Sequence, residues 1–247
     1  MPKSSRSSSA PHFMIASSVS CRFARIAIAL TLAAAAVCAR GDEDRDVERL
    51  ARRADKLAST IESIQVNEKF RIPATIMREA KGIIVLRQYE AGFVFGAKGG
   101  YGIALVKDED GKWGPPAWIK TGEISGGLQV GVQSLRVVFV IMTDNGLNML
   151  KKTRFRIGVD ASVTMGPTSA NAQVKSGAYS ALLAYTDTEG LYAGATFEGG
   201  FLLPDNKSNG LTYDQDLSVQ EILYNRELVL PSYADRVVAL LRDIEGK

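Results

Sequence analysis

Glycine falls in this chain where strands should be. Three segments carry it: "GFVFGAKGGYGIAL" (92–105), "ISGGLQVGVQS" (124–134) and "GLYAGATFEGGFLL" (190–203). In the second, apolar residues alternate with glycine or uncharged polar ones, the period of a strand with one buried face. In "GLQVGVQS", Leu128, Val130 and Val132 point one way, and Gln129, Gly131 and Gln133 the other. A strand glycine marks a bulge, a bend or a close approach of another group. At this density it predicts a strongly curved sheet, as in a barrel or a tightly packed sandwich. The gap at Gly131 suits a bulky neighbour, with Trp113, Trp118 or a tyrosine as candidates since aromatics often cover strand glycines, or a ligand, packing being the stronger reading.

The remaining pattern is helical at both ends. Val47, Leu50, Ala54, Leu57, Ile61 and Ile64 follow a 3,4,3,4,3 spacing, which puts them on one helical face over 44–66. Arg45, Arg49, Arg52 and Lys56 run along the other side. Asp46, Glu48 and Asp55 interleave that row, which favours a helix packed on its own domain over one lying on a membrane. Pro73 and Gly82 bracket a short helix, and "IIVL" after it reads as a buried strand. Asp110-Gly111 signals a hairpin. Asp144 is placed to cap a short helix ending near Lys151 and Lys152. "FRIGVDASVT" alternates as one strand, and "GAYSALLAYT" with "GLYAGATFEGGFLL" reads as a hairpin. "PDNKSNG" (204–210) reads as a surface loop. Ser218 with Glu221, and Ser232 with Asp235, form capping boxes ahead of C-terminal helices. Ala234, Val237, Val238, Leu241 and Ile244 line the last of these.

The expected fold class is α+β: a β-rich, mostly antiparallel curved sheet, barrel or sandwich, with an N-terminal amphipathic helix and C-terminal helices. No linker or repeat divides residues 70–247, so residues 40–247 are expected to form one domain with its core in 70–247.

Residues 1–39 read as an address. Arg22 and Arg25 precede the apolar run "IAIALTLAAAAV", and "VCA" follows with small residues suited to signal peptidase. The run is shorter than the roughly 20 residues of a spanning helix. Export to the periplasm or cell envelope is expected, with cleavage after Ala39; a start at Met14 gives a more usual leader. Val37 stands where lipidation of Cys38 wants a small residue. The leader takes four of the 30 basic residues and none of the 27 acidic ones, so the remainder carries a net charge of −1. A near-neutral body gives no reason to expect nucleic acid.

His12, Cys21 and Cys38, the whole His and Cys inventory, lie in the leader. The processed chain then lacks Ser-His-Asp and Cys-His nucleophiles and nitrogen- or sulfur-ligated metal sites, and no cofactor is expected. Asp160 with Glu198 is the acid pair to weigh for acid–base work, though each is more simply a strand or turn residue. "GAKGGYG" does not open a helix and lacks the Lys-Ser/Thr of a phosphate loop. "DEDG" (108–111) lacks the ligand pattern of a calcium loop. An enzyme is not expected.

"AKGIIVL", "GFVFGAKGGYGIAL", "KWGPPAWIKTGEISGGLQVGVQS", "GVDASVTMGP" and "AYTDTEGLYAGATFEG" resemble, in order and spacing, the SYLF domain family, over about residues 50–245. Two positions depart: Arg136, near which the family usually has an acidic residue, and Gly114, where it commonly has Ser. The resemblance implies a lipid-binding module, best known for phosphoinositides, and in some eukaryotic members an actin-binding one. It places lipid binding on the N-terminal amphipathic helix and adjoining bases: here Arg45, Arg49, Arg52, Arg53 and Lys56, extended to Lys81 and Lys98. The expected partner is phospholipid or a membrane surface, met by an exported protein in the envelope. The alternative is a protein partner, served by the heptad-like helix and by exposed aromatics around Trp113 and Trp118.

Overall fold

The structure is a computed structural model, and it describes residues 44–68, 70–92, 95–126, 131–167, 180–186 and 201–246. Side chains at 90–92, 95–98, 123–126 and 131–133 are not described. The leader, Gln129 and Glu198 therefore lie outside the described residues, as do the side chains of Lys98 and Gln133 and what covers Gly131.

Eight strands make one curled sheet in the order β5-β8-β3-β2-β1-β4-β7-β6. In chain order they are β1 (Gly82–Gly92), β2 (Phe95–Val106), β3 (Ala117–Gly126), β4 (Gly131–Ile141), β5 (Phe155–Arg156), β6 (Val163–Met165), β7 (Leu182–Thr186) and β8 (Phe201–Pro204). All neighbours pair antiparallel except β6 with β7. Gly100 and Gly102 answer to the tight curvature of the β1–β2 pair. A Cβ on Gly100 would strike the Arg87 carbonyl, and one on Gly102 the Leu86 side chain and the Val85 carbonyl.

Both faces of the sheet are covered. A helix over 44–66, here α1, lays Leu50, Ala54, Leu57, Ile61 and Ile64 on one face. That face presents Ile83, Val85, Ile103, Leu105, Trp118, Val138 and Val140. The short α2 (Ala74–Glu79) and the last helix, α6 (Asp235–Gly246), complete the layer with Ile76, Met77, Val237, Val238, Leu241 and Ile244. The opposite face carries Ile84, Leu86, Ala104, Val137, Phe139 and Ile141, packed under α3 (Asp144–Met149) and α5 (Val219–Tyr224). Each buried Leu, Ile or Val contributes about 1.5–3 kcal/mol relative to exposure, so α1 is integral to one of the two cores.

Several local expectations change. Trp113 and Trp118 are buried, not exposed. Trp118 donates from Nε1 to Thr212 Oγ1 and Tyr233 Oη, both at 3.1 Å. "PDNKSNG" is not a loop: Asp205 caps a helix, α4 (Asn206–Tyr213), accepting from Ser208 N. Asn209 on α4 bonds both Trp118 backbone groups, accepting from N at 2.7 Å and donating to O at 3.1 Å. It thus satisfies β3 where β8 ends. "FRIGVDASVT" is two short strands, because Gly158 turns the chain at φ 84°. β8 pairs with β3 and β5, so the described part of the second "hairpin" segment is no partner of β7. Thr143, not Asp144, caps α3 by accepting from Gly146 N. The capping box of Ser218 and Glu221 is present. Ahead of α6, by contrast, Ser232 begins a short 3-10 turn (Ser232–Ala234) entered from Pro231 with no side-chain cap.

Candidate binding face

Docking leaves α1 with one free surface, and it is charged. Arg45, Arg49 and Arg52 are exposed there. Arg52 Nη1 pairs with Glu48 at 3.1 Å, with both side chains mostly in water, a contact worth under about 1 kcal/mol. Asp55 and Glu62 are taken by Arg236, which staples α6 beside α1.

The next turn meets the sheet. The Arg53 guanidinium lies 4.8 Å above the Tyr101 ring and 3.8 Å from Asp205. Arg87, on β1 beside Tyr101 of β2, donates from Nη1 to the Lys56 carbonyl at 3.2 Å. Its Nε is buried and has no partner among the described residues. Arg136 stands directly opposite Arg87 across β1 and β4. Like charges set opposite in a sheet are unfavourable by themselves. At Arg136, where the chain departs from its resemblance, the face is therefore more basic.

Tyr89 and Tyr101 stack obliquely, with centroids 6.3 Å apart. Burial, then the hydrogen bond with Tyr89, push the Tyr101 phenol up to about 12. Burial raises Tyr89 as well, but the hydrogen bond from Tyr101 and the charges of Arg87 and Lys56 outweigh it, and its phenol falls below the usual range. The hydrogen bond first, and then the two positive charges, stabilise the ionised form of Tyr89 relative to a free tyrosine.

Of the seven bases named from sequence, six have described side chains, and Lys81 stands apart from the other five. Arg53 and Lys56 join the face just described, with Arg45, Arg49 and Arg52 along its helix. Lys81 precedes β1, six residues and roughly 20 Å of strand from Arg87, and pairs with Asp144 of α3 at 2.6 Å. Arg87, Tyr89, Tyr101 and Arg136 were missed because only strand register gathers them. The one sequence signal is the end of the apolar run "IIVL" at Arg87, where alternation begins. Asp160 is a turn residue rather than a strand residue: it accepts from Arg156 N at 2.6 Å and from Lys152 Nζ at 2.9 Å. Those bonds hold its carboxyl below the ordinary value.

The curled sheet thus presents cations and tyrosines beside a docked helix whose outer side carries arginines. Residues 122–244 match the family described as Ysc84, Las17-binding protein actin regulator. SH3 domain-containing YSC84-like protein 1 of Rattus norvegicus is 30% identical over 179 residues, 71% of this chain and 52% of that protein. Protein YSC84 of Saccharomyces cerevisiae is 29% identical over 175 residues, 69% of this chain and 37% of its own length. LAS seventeen-binding protein 3 of the same species is 28% identical over 160 residues, 63% and 35% of the two chains. No solved structure matches. The chain belongs to the SYLF (Ysc84) domain family, and it spans about half the length, or less, of these relatives.

Proposed function

We propose that this chain is a non-enzymatic docking module that binds an acidic protein surface through the outer side of α1 and the adjoining sheet face. The observation that carries this is the burial of the apolar stripe of α1 from Leu50 to Ile64: between Val47 and Val66, exposed at its two ends, the helix offers a partner cations and no hydrophobic wedge. The relatives' names point the same way, describing binding to Las17 and regulation of actin rather than a reaction. The leader supports action outside the cytoplasm, in the envelope of the exporting cell.

Anionic lipid is the second reading, favoured by the exposed row Arg45, Arg49, Arg52 and Lys56 and by Val47, 47% exposed at its start. Attachment would be electrostatic: among the described residues no helix is long and apolar enough to cross a membrane.

The test is a photo-crosslinking side chain at Val47 in the exported protein, activated in living cells. One discrete protein adduct, abolished by Arg52→Glu with Lys56→Glu, is expected. Adducts to lipid alone would transfer the function to the membrane surface, and no adduct at all would reject the face as a binding surface.

A further inference from the structure

Two rows of residues cross the sheet where the cover of α1 ends: Arg53 and Lys56 of α1 still meet Tyr101 and Arg87 of the first, and the second lies one step further out. The inner row is Arg136, Arg87, Tyr101, Lys120 and Leu203, set side by side by strand register. The outer row is Ser134, Tyr89, Gly99, Gly122, Phe201 and Arg156. Residues two apart on a strand share a face, so both rows open on the side that carries α1.

Among the described residues the outer row is empty in its middle. Gly99 and Gly122 stand opposite each other, and a Cβ on either would meet no described atom within 4 Å. Tyr89 and Phe201 bracket the gap, three strand spacings or ~14 Å apart. Less the bulk of those two rings, the opening admits one flat group and excludes a helix, which is about 10–12 Å across.

The rim is cationic. At one end Arg154 lies 3.2 Å from the Phe201 ring and Arg156 lies 5.8 Å from it. A guanidinium stacked on a ring keeps its N–H edge free for a carboxylate. Arg87 and Arg136 stand at the other end, and the exposed Lys120 between. Lys120, Arg154 and Arg156 form no side-chain ion pair with any described residue. Asp160 is the acid beside this end, and it is engaged by Lys152 and by the Arg156 backbone.

We propose that this trough binds an acidic peptide segment through one aromatic side chain. The ring lies on the Gly99–Gly122 floor between Tyr89 and Phe201, edge or face to each. Carboxylates on the two sides reach Arg87 and Lys120, and Arg154 and Arg156. A bilayer surface is planar and cannot reach a floor set below side-chain rims, whereas a peptide side chain can. The proposal rests on the protein-docking reading and adds the chemistry of the ligand.

The test uses the purified chain and fluorescence anisotropy with two labelled synthetic peptides, Glu-Glu-Glu-Trp-Glu-Glu-Glu and the same peptide with Gly for Trp. Burial of the indole is expected to make the first bind about tenfold or more tighter. Gly122→Leu fills the trough without touching a charge and should erase that preference while leaving the weak, salt-sensitive binding. Arg154→Gln with Arg156→Gln should weaken both peptides and flatten their salt dependence. Equal binding of the two peptides, or a preference that survives Gly122→Leu, overturns the proposal. So does binding of phosphatidylglycerol vesicles that Gly122→Leu abolishes, since the occupant would then be lipid. The crosslink at Val47 separates the two levels. A Val47 adduct formed by an unsubstituted chain that binds the two peptides equally sinks the trough and leaves protein docking standing.

Discussion

Whether α1 is docked in solution decides how its cations can be used, and Leu57→Ala measures it. Leu57 has no exposed surface and shares a cluster with Ile61 of its own helix and Val85, Ile103 and Val138 of the sheet. Truncating a leucine in a core that cannot collapse costs about 2–5 kcal/mol. For a body near 200 residues each kcal/mol moves Tm by roughly 2–4 °C. A central loss of about 3 kcal/mol therefore predicts a fall of roughly 6–12 °C. Thermal and urea unfolding followed by circular dichroism are the assays, with Arg52→Ala, on the opposite side of the helix, as the control expected within about 0.5 kcal/mol. If Leu57→Ala shifts Tm no more than Arg52→Ala does, the helix is not part of the core, and its apolar stripe is available to a membrane. If the shift appears, a chain beginning at Phe70 lacks one wall of its core, and lost binding by such a chain reports unfolding.

Lys107→Met should cost about 3–5 kcal/mol in urea unfolding. The Lys107 side chain is 8% exposed, and its ammonium donates to the Met77 and Arg78 carbonyls and holds Glu245 at 2.7 Å, tying α2 to α6. Glu245→Gln added to Lys107→Met should recover part of that loss, because it removes the stranded charge. Gly100→Ala should destabilise by well over 1 kcal/mol by driving a methyl into the Arg87 carbonyl, whereas Gly99→Ala should be close to neutral in the same unfolding assay. Ultraviolet titration should find one tyrosine, Tyr89, ionising below the ordinary value near 10 and Tyr101 only near 12. Between those limits the signs oppose. The depressed Tyr89 adds stability as pH rises towards 10. The raised Tyr101 makes the folded chain hold a proton the unfolded chain has lost, so stability falls from pH 10 to about 12. Burial raises Tyr213, Tyr224 and Tyr233 as well, so Tyr101→Phe should lessen the fall without removing it, and a fall that it leaves unchanged assigns it to those three.

Sequence periodicity located what local physics controls. The stripes of α1 and α6, the strand at Ile83–Leu86 and the Ser218–Glu221 capping box all stand where spacing put them. It failed where distant residues decide. "NKSNGLTY" holds weak helix formers and folds as α4 because Asp205 caps it and Asn209 is claimed by Trp118. "FRIGVDASVT" alternates like a strand, yet Gly158 and the bonds Asp160 makes to Arg156 and Lys152 fold it back. The binding face was half visible. The row on α1 follows from helical spacing, but Arg87, Tyr101, Lys120 and Arg156 come from four strands that only register brings abreast.

The glycines show why that register matters for function. Gly99 and Gly100 are neighbours and look equivalent in "GAKGGYG". One points at the backbone of the next strand and is small because nothing larger fits. A Cβ on the other, or on Gly122 beside it, would meet no described atom within 4 Å. Packing alone gives no reason to keep those two side-chain-free, since β-branched residues favour a strand with room above it. Two open glycines in register, bracketed by Tyr89 and Phe201 and rimmed by cations, are better explained by a group that arrives from outside. On this reasoning the glycine of the strongly curved strands serves two ends: at Gly100 and Gly102 it lets the sheet curl, and at Gly99 and Gly122 it keeps clear the space that the curl encloses.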